Sequence, residues 1–229
     1  MTCDVHAEWD IVRHPRARSL KLSLDPVTGR ARLTLPRRAA LGPALTWAGG
    51  KAEWLAAQRA QLPAARPFAD SAVLPVADES LTISWSPGTR RTVMRDGAVL
   101  RVEGPQETVA RRVERWLRAA ALDLLSRETG ETATKAGVKV TQVAVGDPRG
   151  RWGSCASSGV IRYSWRLILA PGFVRRATVA HEVAHLVHMH HGPAFHTLAA
   201  RLLGEDHSPA RAWLRRHGAG LHWFGRSSS

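Results

Sequence analysis

Hydrophobic and polar positions alternate with a period of two through much of the first hundred residues, and this alternation predicts half-buried strands. The alternating runs lie at residues 11–13, 20–24, 31–35, 72–76, 81–85, 92–94 and 99–102. A Pro/Gly turn between the runs at 20–24 and 31–35 predicts a hairpin. Residues 43–61 have a helical period instead, which places Trp47 and Trp54 in the predicted core.

The hydrophobic period lengthens after about residue 105, so that helices are predicted to dominate the rest of the chain. The predicted helices lie at residues 106–128, 175–190, 193–203 and 208–218, and the predicted strands at 138–145 and 160–169. This order of elements predicts an α+β fold. We expect a strand-rich N-terminal region over residues 1–104, a helix-rich domain over residues 105–226 and a disordered tail at 227–229.

The composition is typical of a globular protein and argues against a membrane-spanning, fibrous or disordered chain. Hydrophobic residues make up 44% and charged residues 23% of the 229 residues. No apolar run approaches the roughly 20 residues that a membrane-spanning helix needs, and no secretory signal is recognisable. Cys3 and Cys155 are the two cysteines, which excludes a disulfide framework. A cytoplasmic location is therefore expected.

The formal net charge of +14 would suit a nucleic-acid partner, because Arg and Lys displace counterions from phosphates. Only four of the 33 basic residues are Lys, however, and the Arg residues are spread from Arg13 to Arg226 without forming a block. Such a bias also arises from GC-rich coding sequences. Charge alone therefore leaves nucleic-acid binding as an open alternative, and the sequence does not indicate an oligomeric state.

Histidines are concentrated between residues 181 and 196, where six of the eleven lie. His181 and His185 are four residues apart on a predicted helix, so both imidazoles can reach one metal ion. Glu182 lies about 100° around the helix from His181, where it can face a water on that ion without being a ligand. This HExxH motif predicts hydrolysis in which a metal such as zinc acidifies water and Glu182 is the general base.

A catalytic zinc site needs a third protein ligand, and the neighbouring histidines provide three candidates. His188 follows His185 by one turn, but a regular helix would carry it away from a shared ion. His191 comes where a Gly-Pro pair ends the predicted helix and lets the chain turn back, and His196 lies on the next helix.

Several motifs together resemble a known family. They are the run from Arg151 to Leu167, with its Trp-Gly-Ser-Cys loop and Trp-Arg-Leu end, the His181–His185 motif, and the run from His191 to Phe195. In this combination the chain resembles the YgjP-like metallopeptidases, which are relatives of the SprT-like and WLM metalloproteases within the zincins. The resemblance covers most of the chain and is weakest from about residue 63 to 105. The chain departs from the family pattern at Gly192 and at His196, where Trp is common.

The resemblance implies a zincin-like domain built on the HExxH helix, with Zn²⁺ as cofactor and a peptide or protein as substrate. Position by position, it implies that His181, His185 and His191 bind zinc and that Glu182 is the general base. In zincins a strand placed like residues 160–169 lines the cleft, and by that resemblance it could pair with an extended substrate. Arg151 and Trp152 are further candidates for the cleft.

Two other functions remain open. One is a DNA-associated protease or binding module, by analogy with SprT-like proteins. The other is a non-catalytic metal-binding protein, in which His188 or Cys155 would be a fourth ligand and close the site. As a lone cysteine, Cys155 is better interpreted as a packing residue, and His196 as a surface residue. Ni, Co or Fe would also suit imidazole ligands.

Overall fold

The computed structural model describes residues 9–90 and 92–227 and divides the chain into two compact units, residues 1–64 and 65–229. Cys3 lies outside the described residues, as do Ser228 and Ser229 of the predicted tail. Within the described ranges, no helix combines the length and apolar character that crossing a bilayer requires.

From residue 9 onward, the first unit forms a three-stranded sheet and two helices. Its elements are β1 (Trp9–His14), β2 (Lys21–Leu24), β3 (Ala31–Pro36), α1 (Leu41–Gly49) and α2 (Ala52–Ala60). Strand β3 is central, parallel to β1 and antiparallel to β2, so the predicted hairpin is confirmed. Alternate residues of β3 are completely buried, as a strand with one covered face requires: Ala31, Leu33 and Leu35.

The helix predicted over residues 43–61 is two helices, because the chain turns at Gly50, a residue with poor helix propensity. The expectation that Trp47 and Trp54 are core residues is wrong, since they are 39% and 41% exposed. Smaller side chains of the two helices share the core with β3 instead: Ala44, Ala48 and Leu55.

The described residues of the second unit form two sheets and four α-helices. The four-stranded sheet has the order β4-β5-β7-β6 and consists of β4 (Val73–Val76), β5 (Glu79–Ser86), β6 (Val93–Asp96) and β7 (Val99–Glu103). The three-stranded sheet has the order β8-β10-β9 and consists of β8 (Gln142–Gly146), β9 (Gly153–Cys155) and β10 (Val160–Ser164). The helices are α3 (Val109–Ala136), α4 (Gly172–Ala184), α5 (Pro193–Leu203) and α6 (Ser208–Leu221).

The four-stranded sheet shares one hydrophobic core with the helices. Ile83 of β5 and Leu100 of β7 belong to the same buried cluster as Val113 and Leu117 of α3. Because an amphipathic sheet must bury its apolar face, these strands and α3 form part of one compact unit. The structure therefore divides the chain between residues 64 and 65, whereas the division expected from the sequence lay near residue 105.

Helix α3 is longer than the predicted helix at residues 106–128, because tertiary contacts stabilise a last segment of poor helix formers. Thr129 and Ala133 are buried there, and the Thr129 hydroxyl lies 3.0 Å from the hydroxyl of Tyr163 on β10. Gly137 ends the helix in the left-handed conformation, with φ of 69°.

Two elements around the histidine segment are shorter than predicted. The strand expected at 160–169 ends at Ser164 and continues as a 3₁₀ helix, Trp165–Leu169. The helix expected at 175–190 begins at Gly172 and ends at Ala184. Residues 163–170 are all buried, and a continuous buried run does not reveal where one element ends and the next begins.

Candidate active site

Helix α4 and the turn that follows it orient the HExxH side chains. His181 and Glu182 lie in the last turn of α4, and His185 occupies its C-cap position. Nδ1 of His185 lies 3.2 Å from the carbonyl oxygen of His188. Because a carbonyl can only accept a hydrogen bond, Nδ1 carries the proton and donates it, which leaves the lone pair of Nε2 free.

His191 returns to α4 after the turn and completes a group of three imidazoles. Its Nε2 lies 3.1 Å from Nε2 of His181, and ring nitrogens of His181, His185 and His191 lie within 4.8 Å of one another. Phe195 of α5 is 1% exposed and packs against all three rings, with centroid distances of 4.5 to 4.9 Å. Phe195 therefore holds the imidazoles in place.

The surroundings of the group favour neutral imidazoles. Burial, together with the neighbouring imidazoles of His185 and His191, lowers the pKa of His181 to about 4. Burial also lowers the pKa of His185, although its hydrogen bond to the His188 carbonyl acts in the opposite direction. At neutral pH these two side chains therefore have free lone pairs, which is the state that binds a metal ion.

The Glu182 carboxyl group is buried next to the imidazoles and is only 5% exposed. Burial raises its pKa to about 7, while the positive charge of Arg151 acts to lower it. A carboxyl group with a pKa near neutrality can both accept and return a proton under physiological conditions.

Strand β9 passes directly beside Glu182. A Cβ atom at Gly153 would overlap the Glu182 carboxylate, so only glycine leaves room for that side chain in its observed position.

Strand β9 is also an edge of its sheet, because β10 lies between β8 and β9. The expectation that the strand predicted at 160–169 pairs with a substrate is therefore wrong, since both edges of β10 are already paired.

A cavity of about 680 Å³ opens at these residues. His181, Glu182 and His191 line one end of the cavity, and Trp152 and Gly153 form one wall. The cavity continues between α4, α5 and α6. Its further lining residues are Ala177, Thr178, Phe195, His196, Ala199, Ala200, Asp206, His207, Ala210, Arg211 and Leu214.

Trp152 is supported from behind by α6 and the residue that follows it. Gly218 lies so close that a Cβ atom there would be 2.8 Å from the indole ring, and the His222 ring centroid is 5.5 Å from that of Trp152. The loop that leads to Trp152 is anchored at Asp147, which accepts hydrogen bonds of 2.7 and 3.0 Å from the buried Arg166 guanidinium. The cavity wall thus packs against the hydrophobic core of this unit.

The remaining candidates from the sequence lie near the site with different surroundings. The ring of His188 is outside the imidazole group, and its carbonyl orients His185. His196 is exposed and stacks on His191 with centroids 6.3 Å apart. Burial and the charge of Glu182 raise the pKa of the Cys155 thiol, which disfavours a thiolate ligand. Arg151 acts on Glu182 through its charge.

Sequence reasoning gave no role to Phe195 or Gly153. Phe195 follows His191 by four residues, a spacing that returns to the same side of a turn and helix, and this was the available signal. Gly153 belongs to the Trp-Gly-Ser-Cys loop that carries the family resemblance, but the sequence does not indicate its contact with Glu182, because that contact forms only in the tertiary fold. The polar residues at the far end of the cavity, Asp206, His207 and Arg211, were missed for the same reason.

Comparison with known proteins agrees with these features. The family model of the YgjP-like metallopeptidase domain matches residues 18–217, which include every residue of the imidazole group and Glu182. No curated protein and no solved structure gives a significant match. A match over most of the length is decisive, and the chain belongs to the YgjP-like metallopeptidase family.

Proposed function

We propose that this protein hydrolyses peptide bonds with a zinc ion bound by His181, His185 and His191, and that Glu182 is the general base. The observation that carries the proposal is the convergence of three ring nitrogens beside a buried carboxyl group at the end of a cavity. Membership of a metallopeptidase family supports both a metal and a peptide or protein substrate.

The donor set fits zinc. The 3.1 Å between Nε2 of His181 and Nε2 of His191 is close to the roughly 3.3 Å expected between nitrogens bound about 2.0–2.1 Å from a tetrahedral ion. Three protein ligands are the number typical of a catalytic site, whereas structural zinc sites have four. A bound zinc ion supplies Lewis acidity, which lowers the pKa of water and polarises a carbonyl group.

Glu182 handles the proton in this proposal. Its carboxylate accepts a proton as water attacks the scissile carbonyl carbon, and the resulting carboxylic acid gives that proton to the leaving amine. A pKa of about 7 suits both steps, because neither protonation state is strongly favoured at neutral pH. Gly153 keeps the adjacent space free for the carboxyl group.

The backbone of β9 would hold the substrate next to Glu182. The Trp152 carbonyl accepts a hydrogen bond from Ser164, and the Ala156 amide donates one to Val160, at 2.8 and 2.9 Å. Because bonding alternates along an antiparallel pair, the backbone groups of Gly153 and Cys155 face the open edge. An extended peptide could add there as a further strand, which favours recognition of the main chain.

The proposal is tested by measuring metal content by mass spectrometry and casein cleavage on the same preparations. We expect one zinc per chain in the wild type and in Glu182→Gln, loss of zinc in His181→Ala, and cleavage by the wild type but by neither of these two variants. His190→Ala is the matched control, because His190 is exposed in the same segment and lies outside the imidazole group. It should retain both zinc and cleavage.

The alternative outcomes discriminate clearly. Failure to bind any metal after reconstitution would refute the proposed site. Zinc that binds without cleavage of any protein tested would favour a non-catalytic metal-binding protein. Retention of zinc in His181→Ala would show that the ion is bound elsewhere.

A further inference from the structure

The cavity beside Glu182 extends well beyond the groups needed for hydrolysis. Ala177 and Thr178 lie about one turn before His181 on α4 and also line it, so the space runs along the helix away from its catalytic end. Helices α5 and α6 provide the opposite walls, with Ala200 and Leu214 among the lining residues.

Small side chains maintain this open volume. Helices that meet in a protein core normally interdigitate large side chains at close-packed density. Here three alanines on three different helices are 3 to 4% exposed and face the cavity: Ala177, Ala199 and Ala210. The volume of about 680 Å³ lies within the range of roughly 300–1,000 Å³ typical of ligand pockets.

Apart from Glu182, the charged residues that line the cavity lie at its rim. Asp206 and Arg211 are exposed. The Asp206 carboxylate accepts hydrogen bonds from the Ser208 amide and hydroxyl at 3.1 and 3.2 Å, and Arg211 lies 3.4 Å from the same hydroxyl. Because these groups bond to one another at the start of α6, the walls presented to a ligand are mainly alanine, Leu214 and aromatic carbon, with Thr178 and His207 as polar members.

We infer that this cavity is a specificity pocket that takes a bulky apolar side chain, such as Phe, Leu or Met, from the substrate residue next to the scissile bond. The inference rests on the proposed function, because it uses the position of Glu182 to locate that bond. Two features support it: the pocket is continuous with the catalytic end of the cavity, and its alanine walls leave room for a large side chain. Backbone pairing with β9 would hold the peptide, and the pocket would select where it is cut.

Cleavage of a randomised decapeptide mixture, with products identified by mass spectrometry, tests the inference. Apolar pockets discriminate by about 10–200-fold for a single methylene, so the wild type should prefer Phe or Leu over Ala by about 100-fold in kcat/KM at one position beside the cut. Ala200 is half-buried in the pocket wall, and Ala200→Leu should reduce this preference at least about 10-fold. Ala212→Leu is the matched control, because Ala212 is exposed on α6 and does not line the pocket.

A second variant, Leu214→Ala, tests the pocket independently if Ala200→Leu does not fold. Leu214→Ala enlarges the same pocket and should increase the cleavage of Trp-containing peptides relative to Leu-containing ones. The inference would be refuted if the wild type showed no preference at either position beside the cut. It would also be refuted if Ala200→Leu and Leu214→Ala left the preference unchanged. Cleavage would still occur in that case, so the proposed function would stand.

Binding provides a measurement that does not depend on activity and decides the matter if the wild type cuts no peptide. Saturation-transfer NMR on the whole protein should show transfer to N-acetyl-phenylalanine amide and much less to N-acetyl-alanine amide. The transfer should disappear in Ala200→Leu and persist in Ala212→Leu. Absence of transfer to the phenylalanine amide in the wild type would overturn the inference.

Discussion

Helix α4 has buried charged residues at both ends, and the two ends differ in how those charges are satisfied. At the N-terminal end, Arg175 is 4% exposed and donates hydrogen bonds to Glu128 at 2.9 and 3.1 Å and to Asp78 at 3.2 Å. Asp78 also accepts a hydrogen bond from the Gly172 amide in the first turn. At the C-terminal end, Glu182 is 5% exposed and lines a cavity, and burial raises its pKa to about 7.

The charged residue at one end of α4 is compensated by neighbouring charges, and the one at the other end is not. Arg175 is surrounded by carboxylates that compensate its charge, so it contributes to the fold. Burial destabilises the ionised form of Glu182, and the charge of Arg151 offsets only part of this effect. The ionised form therefore costs free energy that the rest of the fold must supply. A buried titratable group facing a cavity is typical of an active site, because the same environment that destabilises the charge adjusts the pKa.

The largest expected effect is on activity at the C-terminal end. Glu182→Gln should lower kcat by about 10²–10⁴-fold, because the amide cannot accept the proton. Its free energy of unfolding, measured in urea on metal-free protein, should be unchanged or higher, because a buried charge has been removed. Glu128→Gln is the matched control: it should destabilise the protein and leave cleavage intact. Full cleavage by Glu182→Gln would refute its assignment as the base.

Disrupting the ion pair at the N-terminal end of α4 should instead act mainly on the stability of the protein. Arg175→Met leaves Glu128 buried without its partner and should lower the free energy of unfolding by about 3–5 kcal/mol, measured by urea denaturation at pH 7. Arg176→Met is the control, because Arg176 is the exposed neighbour, and it should change stability by less than about 0.5 kcal/mol. Equal losses in the two variants would show that the buried ion pair does not stabilise α4.

A smaller effect is expected where β9 meets the C-terminal end. Gly153→Ala introduces a Cβ atom that overlaps the Glu182 carboxylate, so the carboxyl group must move. Because a displacement of about 1 Å in a catalytic group can cost about 100-fold, we expect kcat/KM to fall about 10–100-fold while zinc content stays at one per chain. Gly150→Ala, in the same loop but with open space around it, should behave as wild type. Loss of zinc in Gly153→Ala would contradict this explanation.

The sequence permits prediction where local spacing determines position. His181 and His185 come together because residues four apart share a helix face, and α5 is confirmed at residues 193–203 between its Pro and Gly signals. The α+β class is confirmed by the order of strands and helices. The nucleic-acid partner and the zinc ligands themselves stay predictions.

Features that depend on tertiary contacts could not be predicted in this way. Helix α4 ends six residues before the predicted end, where the His185 ring bonds to the His188 carbonyl and the chain turns towards His191. The periodicity of the sequence does not record such a turn. Likewise, Asp78 reaches the start of α4 from a hairpin 94 residues away, in a left-handed conformation with φ of 71°.

The smallest expected effect concerns pH at the N-terminal end of α4. Burial raises the pKa of Glu128 above its ordinary value of 4.5, although the hydrogen bond and charge of Arg175 act to lower it. An acid whose pKa is higher in the folded than in the unfolded state contributes most to stability below pH 4.5, and that contribution is lost as pH rises through the folded-state value.

The pKa of Glu128 should rise further when Arg175 is removed. Arg175→Met should therefore lower the free energy of unfolding, relative to the wild type, by about 1 kcal/mol more at pH 8 than at pH 5. Urea denaturation at both pH values measures this, and the double variant Arg175→Met/Glu128→Gln should abolish the difference even though Asp78 and Glu131 remain. If the double variant kept the same pH dependence, the responsible group would be another carboxylate, and the ion pair with Glu128 would not be what distinguishes this end of the helix from the end that carries Glu182.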